Sequence, residues 1–129
     1  MLIEIDFNSD EALYIQLRNQ VIMGIARDML KDGESLPSVR QMASELGVNM
    51  HTVNKAYATL RQDGYVKLDR RNGAVVSVSL DNRSYQVESM SSDMQMIVAQ
   101  AICKGISLDE MQELVREMYA AFSPEGQKD

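Results

Sequence analysis

The chain of 129 residues is 45% hydrophobic and 25% charged, the balance of a globular protein with room for one ordinary domain or a small domain plus an appendage. Its net charge of −6 argues against a uniformly basic nucleic-acid binder, and its single cysteine, Cys103, excludes an internal disulfide. No run approaches the roughly 18 apolar residues of a membrane span, and Met1 to Asp6 lacks the basic-then-apolar order of a secretory signal, so the expected location is the cytoplasm.

Leu2, Ile3 and Ile5 read either as a short strand or as an arm packed on the domain. From about Asp10 to Arg27, Tyr14, Leu17, Val21 and Ile25 recur at helical spacing and predict a first helix. Gly33 and Pro37 punctuate the turn that follows. A short second helix is expected over Ser38 to Leu46, with Ser38 as N-cap and Met42, Ala43 and Leu46 as its apolar face. Gly47 ends it at a position where positive φ costs glycine little.

A third helix is expected from Met50 or His51 to Gln62, capped by Asn49, with Val53, Ala56, Tyr57 and Leu60 on one side. Tyr65 to Leu68 and Ala74 to Leu80 then form two strand-like runs around Asp69-Arg70-Arg71-Asn72-Gly73, where Asn-Gly is a strong hairpin signal. Beyond them, Met90, Met94, Ile97 and Ala101, with Val98 and Ile102, mark a fourth helix ending at Lys104-Gly105. Ser107-Leu108-Asp109-Glu110 is a capping box that opens a fifth, whose stripe is Leu108, Met111, Leu114, Val115, Met118 and Phe122. Residues from Ser123 on are expected to fray. Cys103, near the apolar stripe, reads as a packing thiol rather than a redox switch.

The charge is not evenly spread. Residues 81–129 hold four basic side chains against nine acidic ones, whereas residues 38–73 hold six basic against three acidic. Nine of the 19 acidic side chains sit in the tail, and the middle of the chain is locally basic. There, two short helices joined by a glycine-containing turn make a helix-turn-helix, whose second helix fits the major groove of DNA. Its polar, outward positions are Asn49, Met50, His51, Thr52, Asn54, Lys55 and Thr59. An asparagine can pair with adenine, a thioether can touch the thymine methyl, and Lys55 and Thr52 suit phosphate oxygens. The hairpin after it carries Lys67, Arg70 and Arg71, cations that suit a wing against phosphate or a minor groove.

The parts resemble the N-terminal domain of GntR-type bacterial transcription regulators. The matching pieces are Leu13-Tyr14-Ile15-Gln16-Leu17, Leu36-Pro37-Ser38-Val39-Arg40, Met42-Ala43, Leu46-Gly47-Val48-Asn49, Thr52-Val53-Asn54-Lys55-Ala56-Tyr57, Leu60 and Asp63-Gly64-Tyr65-Val66. The short remainder is similar to the YtrA-type subfamily, whose tail is a pair of dimerising helices. The resemblance implies DNA contact by Arg40, by Asn49 to Thr52 with Asn54 and Lys55, and by Arg70, Arg71, Asn72 and Gly73 of the wing; Ser38 and Lys67 are candidate contacts beside them. It implies a dimerising tail, for which the apolar stripes supply Met90, Met94, Ile97, Ala101, Met111, Leu114, Val115 and Met118 as candidate contacts. The chain departs from the family where Met50 and Asn54 replace residues that are often basic, and where Asp28 stands in place of a common glycine.

The expected fold is therefore α+β, a winged helix-turn-helix DNA-binding domain over residues 1–80 followed by a small all-α two-helix dimerisation segment over 81–129. The implied partners are double-stranded DNA and a second copy of the chain, with no membrane; the expected role is repression at a palindromic operator. An alternative is a winged helix used for protein–protein contact. No enzyme is expected, because the chain has no paired Ser/His/Asp, no Cys/His set and no phosphate-cradling glycine loop. No cofactor or metal is implied, since the one histidine, His51, lacks partners at ligand spacing. The residues name no small-molecule effector.

Overall fold

The computed structural model describes residues 3–78, 80–81 and 83–122. In chain order it contains α1 (Leu13–Ala26), α2 (Val39–Leu46), α3 (Met50–Gln62), β1 (Val66–Asp69), β2 (Gly73–Val76), α4 (Arg83–Cys103) and α5 (Leu108–Phe122). Residues 1–79 and 80–129 form two compact units. The first is an α+β winged helix-turn-helix and the second is all α. Leu2, and the tail from Ser123 that the sequence leads one to expect frayed, lie outside the described residues.

In the first unit, Leu17 and Val21 of α1, Met42 and Ala43 of α2 and Val53, Ala56, Tyr57 and Leu60 of α3 form one buried cluster with Val66, Ala74 and Val76 of the hairpin. These are the faces that helical spacing picks out. The caps also match. Ser38 Oγ accepts the Gln41 amide at 3.1 Å, Asn49 Oδ1 accepts that of His51 at 2.7 Å, and α2 ends at Gly47 with φ +69°. Each cap satisfies amides that a helix terminus leaves free.

Four differences from the sequence reading have local causes. First, α1 begins at Leu13 rather than near Asp10, because Asp6 Oδ1 caps the Asn8 amide and Ser9 Oγ that of Glu11. Short polar side chains that bond nearby backbone compete with helix.

Second, the N-terminal residues form an arm rather than a strand of a sheet. Gln20 Oε1 accepts the Glu4 amide and its Nε2 donates to the Glu4 carbonyl, while Gln16 does the same for Asp6 at 2.9 and 3.0 Å. Two glutamines one helical turn apart thus supply the pairing that a neighbouring strand would provide, and Ile3 and Ile5 pack on the core.

Third, β2 stops at Val76, three residues into the expected run, because β1 offers only Val66–Asp69 to pair with. The hairpin gains a partner on its other side that the sequence did not suggest. Leu36 N donates to Ala74 O and Val76 N to Glu34 O, both at 2.8 Å, and Ser35 bridges Val75. The segment read as a turn is an extended edge.

Fourth, Asp28 holds φ +62°, the left-handed conformation that favours glycine. Behind it the Met29 and Leu30 amides both reach the Gly24 carbonyl, at 2.9 and 3.1 Å, and Leu30 turns into the core. The position needs a left-handed residue, which explains the family's glycine. Asp28→Gly is expected to stabilise the domain by up to about 1 kcal/mol, the relieved strain being partly offset by glycine's larger unfolded-state entropy. The exposed Asp28–Lys31 ion pair that it removes adds little. Thermal unfolding checks this; a lowered midpoint would show that the ion pair outweighs the strain.

In the second unit the capping box forms reciprocally. Ser107 Oγ accepts the Glu110 amide at 3.1 Å and Glu110 Oε1 accepts the Ser107 amide at 2.9 Å, which holds the Glu110 carboxyl below its ordinary pKa. Apart from Ala101 at 6% exposure, no residue of α4 or α5 is buried. Cys103, expected to pack, is exposed. Among the described residues no helix is long and apolar enough to cross a membrane.

Candidate nucleic-acid interface

Three pieces of the first unit meet at one surface: the N-terminus of α2, one side of α3 and the hairpin tip. Between them lies an open cleft of about 530 Å³ that Ser38, Asn54, Arg71, Asn72 and Gly73 help to line. These five were singled out from the sequence for DNA contact, and the fold brings them together from three separate stretches of chain. Arg40 stands exposed in the first turn of α2.

The outer surface of α3 has a second side. His51, Thr52 and Lys55 line a shallow depression with Ala12, Leu13 and Tyr14 at the start of α1. Lys55 Nζ sits 4.2 Å from the centre of the Tyr14 ring, a cation–π contact that holds the ammonium at the surface. Met50 is 44% exposed at the tip of the helix. Asn49 spends its carboxamide oxygen on the cap, which leaves its amide group to reach outward.

The hairpin tip is shaped by Asp69. Its Oδ1 accepts the Arg71 amide at 2.8 Å and the Asn72 amide at 3.4 Å, and its Oδ2 accepts Asn72 Nδ2 at 3.4 Å. The Arg71 amide, then Asn72 and nearby Lys67, hold the Asp69 carboxyl below its ordinary pKa. Gly73, paired opposite Asp69, takes φ +72°, which closes a three-residue loop of Arg70, Arg71 and Asn72. Because the folded pKa is depressed, the carboxylate supports the tip throughout neutral pH. That support is lost only as pH falls through the lowered value. Asp69→Ala is expected to remove it at neutral pH, so that the Arg71 and Asn72 amides exchange hydrogen faster while those of α1 and α3 do not change. Unaltered exchange at the tip would mean that Gly73 alone sets the turn.

Not every predicted residue joins the cleft. Lys67 lies on the face of β1 opposite Val66 and Leu68, and Arg70 projects from the loop beside it. The cleft residues that the sequence did not mark for DNA contact include Arg61, Leu68 and Ala58, which are all exposed. Arg61 stands seven positions after Asn54, two helical turns along the same face, and that spacing was the available signal. The floor is neutral, since burial and then Glu45 push the Tyr57 phenol well up, and its hydroxyl donates to Pro37 O at 2.8 Å. Among the described residues, the ion pairs use Arg18, Lys31 and Arg116 as cations, and Arg40, Arg61, Arg70 and Arg71 form none. No group of three or more His, Cys, Asp or Glu among the described residues is placed to hold a metal.

In the second unit, Met94 and Val98 of α4 face Met111, Val115 and Tyr119 of α5 across a groove of about 480 Å³. Met90, Met94 and Ile97 are 62%, 45% and 51% exposed, and Leu114, Val115 and Met118 are 43%, 39% and 56% exposed. Met111 is half-buried. Ala101 differs from the other residues expected at a dimer contact, because its own chain covers it where the turn folds back and Ile106 N donates to its carbonyl at 2.9 Å.

Residues 13–76 match the family described as "Bacterial regulatory proteins, gntR family". The HTH-type transcriptional repressor YtrA of Bacillus subtilis (strain 168) is 26% identical over 121 residues, which span 92% of this chain and 93% of that protein. Among solved structures, YtrA from Sulfolobus acidocaldarius, described as a GntR-family transcription factor, is 34% identical with a TM-score of 0.60, covering 92% of this chain and 97% of that one. A structure described as a transcriptional antiterminator from Listeria monocytogenes EGD-e superposes with a TM-score of 0.83 over 95% of this chain and 92% of that one, and at 21% identity it shares the fold. A winged helix-turn-helix with a two-helix tail, matched over nearly its whole length by such a relative, belongs to the GntR family of bacterial regulatory proteins and to its YtrA-like group.

Proposed function

We propose that this protein is a cytoplasmic transcription regulator that binds a palindromic operator as a homodimer and represses the genes beside it. The observation that carries the reading is the surface formed by α2, α3 and the hairpin. It gathers Ser38, Asn54, Arg71, Asn72 and Gly73 at one cleft, with Arg40, Arg61 and Arg70 free of carboxylate partners among the described residues. Cations not spent on ion pairs are available to neutralise phosphate. Repression is supported by the similarity to a repressor of like length.

A second copy is the occupant proposed for the tail. Exposed Met90, Met94, Ile97, Leu114, Val115 and Met118 form more apolar surface than two short helices leave open without a partner. The acid of residues 81–129 keeps this part away from DNA. A twofold dimer would present two α3 helices to half-sites about one turn of DNA apart, which is why the operator should be a palindrome.

The test is binding to a site selected from a random DNA pool, followed by fluorescence anisotropy across a salt series. Affinity should fall linearly in logarithmic coordinates as salt rises, by a factor on the order of 10³ or more between about 50 and 200 mM if six or more phosphates are neutralised. Asn54→Ala should relax the base preference at one position of each half-site at a cost of about 1–3 kcal/mol. Affinity that stays flat with salt would favour the winged helix as a protein-binding module instead.

A further inference from the structure

The cleft between α3 and the hairpin holds two features that neither core packing nor base reading explains. Arg61, in the last turn of α3, is exposed and forms no ion pair among the described residues, yet it lines the cleft together with Arg71 of the hairpin loop. Leu68 is 63% exposed although it shares its face of β1 with Val66, which is 4% exposed and belongs to the core. Strand alternation therefore turns Leu68 to the α3 side of the hairpin, and it lines the same cleft. Among the described residues no aspartate or glutamate lines it. The cavity thus combines two arginines with an uncharged floor and an aliphatic side chain.

That combination fits one repeating unit of chemistry, a phosphodiester with its deoxyribose: the anion needs the two guanidinium groups and the sugar needs an apolar surface. Free phosphate would leave the apolar floor wet, and a base edge would leave the arginines without an anion. We infer that this cleft carries a segment of the DNA sugar–phosphate backbone, gripped by Arg61 and Arg71 from opposite walls with Leu68 against the sugar. The inference rests on the DNA-binding reading above and adds Arg61 and Leu68 to it. The contact is blind to sequence, so it fixes how deeply α3 sits beside the wing without choosing bases.

A structural role predicts something different. A cation in the last turn of a helix interacts favourably with its dipole, and in that role Arg61 would affect thermal stability and nothing else. The experiment measures operator affinity against salt for the parent, Arg61→Gln, Arg61→Lys and Leu68→Ser, with thermal unfolding of each. Arg61→Gln should bind operator and non-operator DNA on the order of tenfold more weakly, and its log–log salt slope should be shallower by about 0.9 for each protomer engaged. Arg61→Lys should restore the slope, because a point charge still neutralises phosphate. Leu68→Ser should keep the parent's slope and weaken both DNAs several-fold by the same factor.

A parent slope in Arg61→Gln, with or without a lowered melting temperature, overturns the inference, and so does parent affinity in Leu68→Ser. Should Arg61→Gln fail to fold, the parent is bound to operators carrying single neutral methylphosphonate linkages and compared with Arg71→Gln on the same set. A linkage that weakens the parent and Leu68→Ser but not Arg71→Gln supports the cleft contact, and the absence of any such linkage overturns it. A parent that binds no DNA at all would instead sink the regulator reading itself, so the two failures are distinguishable.

Discussion

In the proposed dimer, Leu114→Asp is expected to leave monomers and to lower operator affinity by about 10²-fold or more. Leu114 is 43% exposed in the single chain and lies one helical turn from Met118 and Met111, so it is available to a second copy. A carboxylate there would be stripped of water on association with no cation to meet it, a cost that an apolar helix pair does not absorb. The side chain it replaces contributes roughly 1.5–3 kcal/mol in each protomer when fully buried. Each winged helix would then meet its half-site alone and lose the gain from linkage, which reaches about 10²–10⁴ for two sites joined in one molecule. The first unit should keep its thermal transition, since its core runs through Leu17, Val21, Val53 and Leu60 and contains no residue of the tail. Sedimentation at micromolar concentration decides the matter: a dimer as tight as the parent's would place the interface elsewhere.

Leu60→Ala is expected to act on the other unit, loosening the winged helix and weakening DNA binding while the proposed dimer persists. Leu60 is 0% exposed among the cluster that joins α1, α2, α3 and the hairpin, and its carbonyl accepts the Tyr65 amide at 2.9 Å, where α3 hands over to β1. Truncating a buried leucine costs about 2–5 kcal/mol through lost transfer energy and the cavity left behind. For a domain whose whole stability is on the order of 5–15 kcal/mol, that is a large fraction, and it corresponds to a fall in melting temperature of roughly 10–30 °C. The tail holds none of that cluster, so a gel-filtration volume unchanged from the parent's is the expected companion result. If Leu60→Ala instead dissociates, the winged helix itself contributes to assembly. The two variants together ask whether DNA contact and dimerisation reside in separate parts of one chain.

Much of this arrangement was readable without coordinates because it depends on local chemistry. Ser38 and Asn49 announce helix starts, since their short side chains reach amides two or three residues on; Ser107 and Glu110 do so reciprocally. The apolar faces of α1, α2 and α3 repeat at the helical period and do pack together. The hairpin followed from two runs rich in valine and leucine around Asn72-Gly73, and Gly73 does adopt the positive φ that such loops demand. Asp28 marks the boundary of that kind of reading. Its identity ran against the expected glycine, and only the backbone revealed that the left-handed turn forms regardless, with an aspartate accepting the strain.

The sequence by itself determined the helices, their caps, the hairpin and the separation of acid in the tail from base in the middle, because spacing, capping and charge act over a few residues. Tertiary structure decided which of these residues share a surface. Gln16 and Gln20 pair with an arm ten and sixteen residues away, and residues 33–36 become an edge for β2 forty residues on, through hydrogen bonds that leave no periodic trace in the chain. Asn54, Arg61, Leu68 and Arg71 meet at one cleft because α3 and the hairpin pack on a common core, while Lys67, in the same basic run, points off the other face of its strand. A cation's place in sequence sets its charge, but whether that charge reaches a phosphate depends on the side of the strand or helix it occupies once long-range packing has oriented that element.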